Sequence, residues 1–526
     1  MAIDFRRVIA CAVRWLYNPE RLIVALLFVT ATYYLTDLKM IRVDQRFSDT
    51  AEIWQVTENI AFRGVPMSQV TSAILSYYNS GMLTETASQI AQNPLVAAPP
   101  ELNHLQFHAY LILYPIAVLV RMFPTEVVMM TLYALSFTAT VLLSYIALRR
   151  AGMNVLGAGL FSAFILFHPA WSEGLRAQFY PDRLFIFFGL LFMLAISAKR
   201  PHRLLQFFAA LLCLSVNERG AVTASVFTLV YLVLYWRSSV DRIYKLGIAA
   251  GLIVYAAVTI KFFLPLNIYN AHFLPTSLAD AISRFSLPNF AHNAGIFILV
   301  NAIALVLACF NWRAAVIAFV MMVPNILGNI GGAEKTGWTT HYHDEYLSAV
   351  IWASLVGFLA LYERVRNTRM LVPAFALPAT LMLVFAFLDP YTGTFAFGNA
   401  NNTFVAWFPR EVQAYRTPAA RQAALWAKQL DAAIPAGVTV SSIEAGIPSL
   451  YRNRTIEWYP SDIEHADYAV LVRLGTVYSG VANYLGPVET QKVDDMLVDR
   501  MRKDGYDFVS PVFSAPNGII AVRRNH

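Results

Sequence analysis

Hydrophobic and polar positions in this chain are organised on two scales. Over the first three quarters, apolar runs are separated by short polar turns. Each run has, or comes near, the length a helix needs to cross hydrocarbon, roughly 20 residues at about 1.5 Å rise each. The runs are Leu22–Leu38, Val127–Leu148, Val155–Trp171, Leu184–Ala198, Leu204–Val216, Ala221–Tyr235, Leu246–Leu266, Ala294–Phe310, Ala314–Ile330, Tyr346–Leu361 and Met370–Phe387. They predict about eleven transmembrane helices. One more run, Phe107–Met122, is short and ends in Arg121-Met122-Phe123-Pro124. From Asp389 the pattern becomes that of a soluble α/β unit of roughly 110 residues, an ordinary domain size. Its expected elements are a helix from about Thr417, strands in VTVSS, TIEWYP and YAVLVR, a helix over Thr490–Arg502, and a hairpin over Phe508–Arg524 turning at Ala515–Gly518. The predicted fold class is an α-helical polytopic membrane protein, residues 1–388, with a C-terminal soluble α/β domain, residues 389–526.

The basic residues set the expected sidedness, because cytoplasmic loops carry the excess of Lys and Arg. If Phe107–Met122 crosses fully, Arg149-Arg150, Lys199-Arg200 and Arg364/Arg366/Arg369 fall outside. If it only dips in as a re-entrant segment, they fall inside with the N-terminal arginines, Arg237, Arg242, Lys245 and Arg313. The second arrangement is the expected one. It puts residues 40–103 outside as a long first loop and the C-terminal domain outside as well, periplasmic if the membrane is a bacterial inner membrane. The N-terminus is basic but lacks a small-residue cleavage site, so it reads as a cytoplasmic lead-in to an uncleaved first span.

Composition agrees with this picture. The chain is 57% hydrophobic and 14% charged with a mean hydropathy of +0.51, whereas soluble domains carry about 25% charged residues. The net charge of +7 sits in short turns between apolar runs, which excludes nucleic acid as the expected partner. Cys11, Cys213 and Cys309 lie in or beside apolar segments and form no metal or disulfide pattern. No internal repeat is present, which argues against many secondary transporters.

With sidedness set, the outer ends of the spans hold the candidate chemistry. The first loop gathers Asp44, Asp49, Glu52, Glu58 and Asn59 within RVDQRFSDTAEIWQVTENIAFRG. Beyond it lie Glu101, His104 and His108, then Arg176, Asp182 and Arg183, then Glu218 and Arg219 in SVNERGA, and last Lys335, His341, His343, Asp344 and Glu345. Charges this near hydrocarbon are costly unless they pair with one another or face a wet cavity. A single outward cavity, roofed by the first loop and the C-terminal domain, is the simplest arrangement that satisfies them.

Three chemistries suit such a cavity. His341-Tyr342-His343-Asp344 hints at a metal, but the spacing matches no zinc motif, and hydrogen bonding at an interface explains the histidines as well. Ion transport calls for acids within the spans, whose middles are nearly free of them. Group transfer from a lipid-phosphate donor needs one carboxylate to take a proton from an acceptor hydroxyl. It also needs cations to hold the leaving phosphate, for which arginine is well suited. The cavity has both. Asp49 with Glu52 equally fits a capping box ahead of the helical stretch Ile53–Phe62, and a helix N-terminus keeps a carboxylate ionised, so the two readings coexist. Asp182 after Tyr180-Pro181 fits the N-cap of the next span. Glu218 and Arg219 fit pairing with each other or with a neighbour as well as substrate binding.

The stretches FSDTAEIWQVTENIAFRG, NHLQFHAYLILYPIAVL, HPAWSEGLRAQFYPDRLF, LSVNERGAV and HYHDEYLSAV, spread over Phe47–Val350, resemble a bacterial membrane family, domain-of-unknown-function family 2079. The layout also resembles the GT-C superfamily of membrane glycosyltransferases. That resemblance implies an inverting transfer of a sugar from a polyprenyl-phosphate donor to a glycan, lipid or protein acceptor, within a lipid bilayer. By position it implies Asp49, with Asp44 as the alternative, as the catalytic base. It implies Glu218-Arg219 as the charged turn at the lipid phosphate; the outer cavity itself adds Arg183 and Lys335 as reserve cations and Asp182, His108, His341 and His343 as further substrate-binding candidates. No obligatory cofactor or metal site is implied, and a divalent cation is compatible. The sequence departs from the superfamily in lacking an adjacent acidic pair in this loop, and in having Phe179-Tyr180-Pro181 where Phe-His-Pro is usual. The alternative reading is a non-enzymatic binder or transporter of a polyprenyl lipid or envelope glycan.

Overall fold

The computed structural model describes residues 20–29, 48–73, 101–166, 180–265, 277–284, 290–291, 294–295, 297–298, 301–327, 343–371, 376, 429–443, 446–474, 477–479, 487–508 and 519–524. The helices are α1 (20–29), α2 (Ser48–Arg63), α3 (Leu113–Val120), α4 (Thr125–Arg150), α5 (Val155–Leu166), α6 (Leu184–Ser197), α7 (Arg203–Val216) and α8 (Glu218–Tyr235). They continue with α9 (Arg242–Val258, extended by a π turn to Phe263), α10 (Leu278–Arg284), α11 (Ala302–Ala308), α12 (Trp312–Leu327) and α13 (His343–Val365). Among the described residues three are long and apolar enough to cross a membrane: Thr125–Arg150, Arg242–Phe263 and Asp344–Val365. The α6 and α7 helices have 14 residues each, about 21 Å of rise, so length alone does not make spans of them. The expected runs Leu22–Leu38, Val155–Trp171 and Met370–Phe387 continue beyond the described residues.

Burial separates the roles of the long helices. The α13 window is 78% buried and the α9 window only 22%. Accordingly α13 packs against α6, α11 and α12 at the centre of the bundle, while α9 exposes Ile243, Val254 and Phe262 outward. Close approach to α13 depends on small residues, as in membrane bundles generally. A Cβ on Gly357 would stand 2.0 Å from the Leu307 carbonyl oxygen of α11. A Cβ on Gly189 of α6 would stand 2.7 Å from Ser348 Oγ. Farther along α13, Trp352 meets the Phe227 ring edge-on at 5.1 Å and donates to Ser197 Oγ at 3.0 Å.

The two ends of the bundle differ in charge. At one end the start of α1 meets the end of α4 through Glu20 and Arg149 at 2.7 Å. The starts of α7 and α9 meet there through Arg203 and Asp241 at 2.8 Å, and Arg313 covers the Tyr235 ring at 5.3 Å. Arg149-Arg150, Lys199-Arg200 and Arg364 terminate α4, α6 and α13 in the same sense. The opposite end, where α8 and α13 begin, carries the acids. The run Phe107–Met122 contains only the eight-residue α3, about 12 Å long. Its His108 side faces Glu218, while Thr125 just beyond it donates to Glu58 of α2 at 2.7 Å.

In the C-terminal unit, β3 (Thr439–Ser442), β4 (Thr455–Trp458), β5 (Tyr468–Leu474), β7 (Tyr506–Phe508) and β8 (Ile519–Arg524) form a sheet in the order β4-β3-β5-β8-β7, with β6 (Val477–Ser479) paired to β5. The pairs β3–β4 and β3–β5 are parallel and the others antiparallel. The expected strands are present, the expected helix runs over Pro487–Lys503 (α15), and the short helix Ile447–Leu450 (α14), unanticipated, packs on α2. Of the expected hairpin, β7 and β8 pair as foreseen, and its turn lies outside the described residues. Only residues 429–433 of the expected helix from Thr417 are described.

A small β1–β2 ribbon, Met67–Ser68 with Leu102–Asn103, follows α2. Beside it the buried Gln69 amide reaches the C-terminal unit. It accepts from the Ile456 backbone N–H at 2.9 Å and donates to the Ile456 carbonyl. Next to it Arg452 bridges Glu58 at 3.1 Å and Glu126 at 2.6 Å.

Two stability predictions follow from these contacts. Gly357→Ala overpacks the α11–α13 contact and should lower stability by about 1–3 kcal/mol, read as a lower unfolding temperature of the detergent-solubilised chain. Gln69→Leu strips both partners from Ile456 and should cost about 1–3 kcal/mol for a buried unsatisfied group. Proteolysis should then cut between the helical bundle and the C-terminal unit faster than in the parent. An unchanged cutting rate would mean that this amide does not hold the unit in place.

Candidate functional site

At the acidic end, five segments converge on a buried polar network. Its centre is Asp182, fully buried in a single 3-10 turn, Pro181–Arg183. Pro181 opens that turn, and Arg183, without any side-chain cap, is the N-cap of α6. The N-cap role expected of Asp182 is therefore corrected. Its carboxylate accepts instead from Tyr110 OH at 2.9 Å, from Arg219 Nη2 at 3.2 Å and from the Asn217 amide. Asn217 is the true cap here, since its side-chain oxygen accepts from Gly220 N at the start of α8. The tight SVNERGA turn thus delivers Asn217, Glu218 and Arg219 together to one place.

Arg219 lies between two carboxylates, with Asp182 at 3.2 Å and Glu345 of α13 at 3.0 Å. The cation expected to hold a phosphate is therefore already engaged within the protein. Glu218 turns the other way. Its Oε2 accepts from Ala109 N at 3.2 Å, and its Oε1 stands 3.6 Å from His108 Nδ1. Of the expected pair, neither member binds the other.

Arg183 differs from Arg219. It is fully buried, and its one charged neighbour among the described residues is Asp344, at 3.7 Å from Nε. Among the described residues none of its three guanidinium nitrogens has a hydrogen-bond partner. A buried unsatisfied polar group costs about 1–3 kcal/mol, more when charged. The position therefore has hydrogen-bonding capacity for an oxyanion, which guanidinium geometry matches as a two-pronged fork.

The sequence reading missed the pair formed by Glu52 and His104. Assigned there to the capping box of α2, Glu52 has its carboxylate buried, with Oε1 accepting from Thr71 Oγ1 at 2.8 Å and lying 3.0 Å from His104 Nδ1. Burial opposes ionisation of Glu52. The charge of His104 and the hydrogen bonds from His104 and Thr71 outweigh it, and hold the carboxyl below its ordinary value of 4.5. His104 Nε2 has no hydrogen-bond partner among the described residues. The His104, Tyr110 and His108 rings pack in a triangle, with centroids 5.5 Å, 5.1 Å and 6.2 Å apart, and join this pair to Asp182 and to Glu218. The only signal in sequence was the spacing of the two histidines.

The other candidates are placed as follows. Asp49 lies in the first turn of α2, one turn ahead of Glu52, and its side chain lies outside the described residues. Asp44, Lys335 and His341 also lie outside them, and His343 is described only as the first residue of α13. Among the described residues no group of three or more His, Cys, Asp and Glu is placed to hold a metal ion. On the same side of the bundle, a cleft of about 480 Å³ opens between α2 and the C-terminal unit. It is lined by Gln55, Asn59, Arg63, Arg452 and Arg454 among others. Its arginines are matched by Glu101, Glu58 and Asp431, so a neutral, hydroxyl-rich ligand fits it better than an ion.

Residues 64–510 match the family described as predicted membrane protein (DUF2079), and the chain belongs to that family. The matched span takes in His104, His108, Asp182, Arg183, Asn217, Glu218, Arg219, Asp344 and Glu345, and leaves Asp44, Asp49 and Glu52 before its start. No curated protein matches the chain.

The Glu52 pair makes stability depend on acid. A carboxyl with a depressed folded-state pKa contributes stability that is complete above its unfolded value and is lost as pH falls through the folded one. Below about pH 4.5 the parent should therefore lose stability more steeply than Glu52→Gln. Parallel acid limbs in thermal unfolding would show that Glu52 does not stabilise the fold as an ion.

Proposed function

We propose that this member of the predicted membrane protein family is a GT-C-type glycosyltransferase. It transfers a sugar from a polyprenyl-phosphate donor to a hydroxyl of an envelope acceptor, at the outer face of a bacterial inner membrane, with inversion. The observation that carries this reading is Arg183, a buried guanidinium without hydrogen-bond partners among the described residues, beside a network of fixed carboxylates. Phosphate is a leaving group that needs no protonation, and its developing charge is what a preorganised guanidinium stabilises. In this reading Arg183, rather than Arg219, holds the donor phosphate, and Arg219 fixes Asp182 and Glu345 around it.

Asp49 supports the acid–base half of the reaction. It occupies the first turn of α2, where the positive end of the helix dipole favours an ionised carboxylate. The acceptor oxygen forms its bond to the anomeric carbon as the bond from that carbon to the phosphate oxygen breaks. The electron pair leaves with polyprenyl phosphate and the acceptor proton passes to Asp49. The polar cleft farther along α2 suits a glycan acceptor, because its planar amides and matched charges present both donors and acceptors to hydroxyls. The charge asymmetry of the bundle supports placing this end outside and the arginine-rich end in the cytoplasm.

Two variants separate the two roles. Arg183→Gln should weaken binding of a polyprenyl phosphate to the purified full chain by about 10- to 100-fold, the value of a lost charge-assisted bond, as read by calorimetric titration. Asp49→Asn should leave that binding intact and lower transfer from a labelled lipid-phosphate sugar by about 10²–10⁴-fold, with Asp44→Asn much closer to the parent. Undiminished transfer by Asp49→Asn removes it as the base. Unchanged lipid binding by Arg183→Gln removes the phosphate assignment. Lipid binding without any transfer by the parent identifies a binder or transporter instead.

A further inference from the structure

The opposite end of the bundle holds a second cavity that the transfer reading does not use. It has a volume of about 360 Å³ and lies between α1 and the last two turns of α4. Its walls change character along their length. Leu142 and Ile146 of α4 and Val24 of α1 give it an apolar floor, and Ile146 is 44% exposed. Arg149, Arg150 and Arg21 form its rim, with Glu20 and Tyr145 between them.

The rim residues are not equivalent. Arg149 is committed: its Nε contacts Glu20 at 2.7 Å and its Nη1 donates to the Met153 carbonyl. Tyr145 OH also donates to Glu20, at 3.4 Å. Arg150 is exposed and forms no ion pair among the described residues, and Arg21 is exposed on the facing helix. Three arginines and one glutamate line the rim, and Arg21 keeps contacts of its own, so Arg150 is the cation best placed to meet an anion. The groove lies at the arginine-rich terminus of Thr125–Arg150, a helix long and apolar enough to cross a membrane. Its apolar floor therefore falls at hydrocarbon depth and its rim at the headgroup level. From Leu142 to Arg150 the helix rises about 12 Å, enough to follow the upper part of an acyl chain.

We propose that this groove binds one anionic diacyl phospholipid, its phosphate against Arg150 with Arg21 across the groove, and its chains over Val24, Leu142 and Ile146. The change from apolar floor to cationic rim matches the change from chain to phosphate in such a lipid, and basic pockets between helices on the cytoplasmic side are suited to anionic headgroups. A zwitterionic lipid brings no net charge to meet the rim. A soluble anion would leave the floor in contact with lipid tails in any case. The inference is independent of the transfer chemistry and needs only that the chain is a membrane protein.

The test uses the full chain in detergent, titrated with dioleoyl phosphatidylglycerol or dioleoyl phosphatidylcholine and read by native mass spectrometry. Phosphatidylglycerol should be retained preferentially, and inorganic phosphate should not displace it. Arg150→Gln should reduce its retention by about fivefold, the effect of one basic residue at an anionic surface. Arg313→Gln, at the same end but outside the groove, should leave it unchanged. Ile146→Trp, which fills the floor and keeps every charge, should also reduce retention, so a variant that fails to fold does not decide the matter alone. Equal retention of the two lipids overturns the proposal. So does an Arg313→Gln effect as large as that of Arg150→Gln, or full retention in Ile146→Trp.

Discussion

Asp182 is the point on which the acidic end of the bundle depends. A carboxylate with no exposure must be met by donors or lose more free energy than most single contacts provide. Tyr110 precedes α3, Asn217 and Arg219 belong to the turn into α8, and Glu345, on α13, is brought in through Arg219. One carboxylate thus fixes the relative height of four segments that are far apart in the chain. The buried charges at this end of the bundle form an ordered network in which each ion is placed by the others.

The centre of the bundle makes that network possible. α13 begins with the acids that receive Arg183 and Arg219, then runs down through packing on α6 and α11 in which Gly357 and Ser348 keep the backbones close. The polar end and the dry core are two halves of one helix. Shifting α13 by a single residue, about 1.5 Å along its axis, would misplace Asp344 and Glu345 together.

Much of this was legible in the sequence, and the limits were physical. Apolar runs showed where helices lie, because period and composition are local. They placed α6 and α7 to within a residue at each end, but an apolar run of that length fits a buried helix as well as a membrane span. The strands of the C-terminal unit were visible for the same local reason. Partner choice was not visible. Glu218-Arg219 looked like a pair, yet a helix start throws adjacent side chains about 100° apart, so Glu218 went to His108 and Arg219 to Asp182. Glu52 looked like a cap because the capping pattern is a sequence signature, whereas its contact with His104 closes across 52 positions and leaves none. Arg183 ranked as a reserve because a guanidinium with hydrogen-bond partners and one without read alike in sequence.

The contact between Gln69 and Ile456 has a consequence for how the two halves of the molecule coexist. Among the described residues strand β4 is the last strand of its sheet, and a terminal strand offers its unpaired backbone groups to any other chain. The side chain of Gln69 fills part of that position as a strand one residue long, and α14 packs on both β4 and α2 beside it. This part of the first loop therefore occupies an edge that another chain could otherwise pair with. A C-terminal unit cut free of the loop would carry an open parallel edge, and its solubility would then depend on whatever next paired with it.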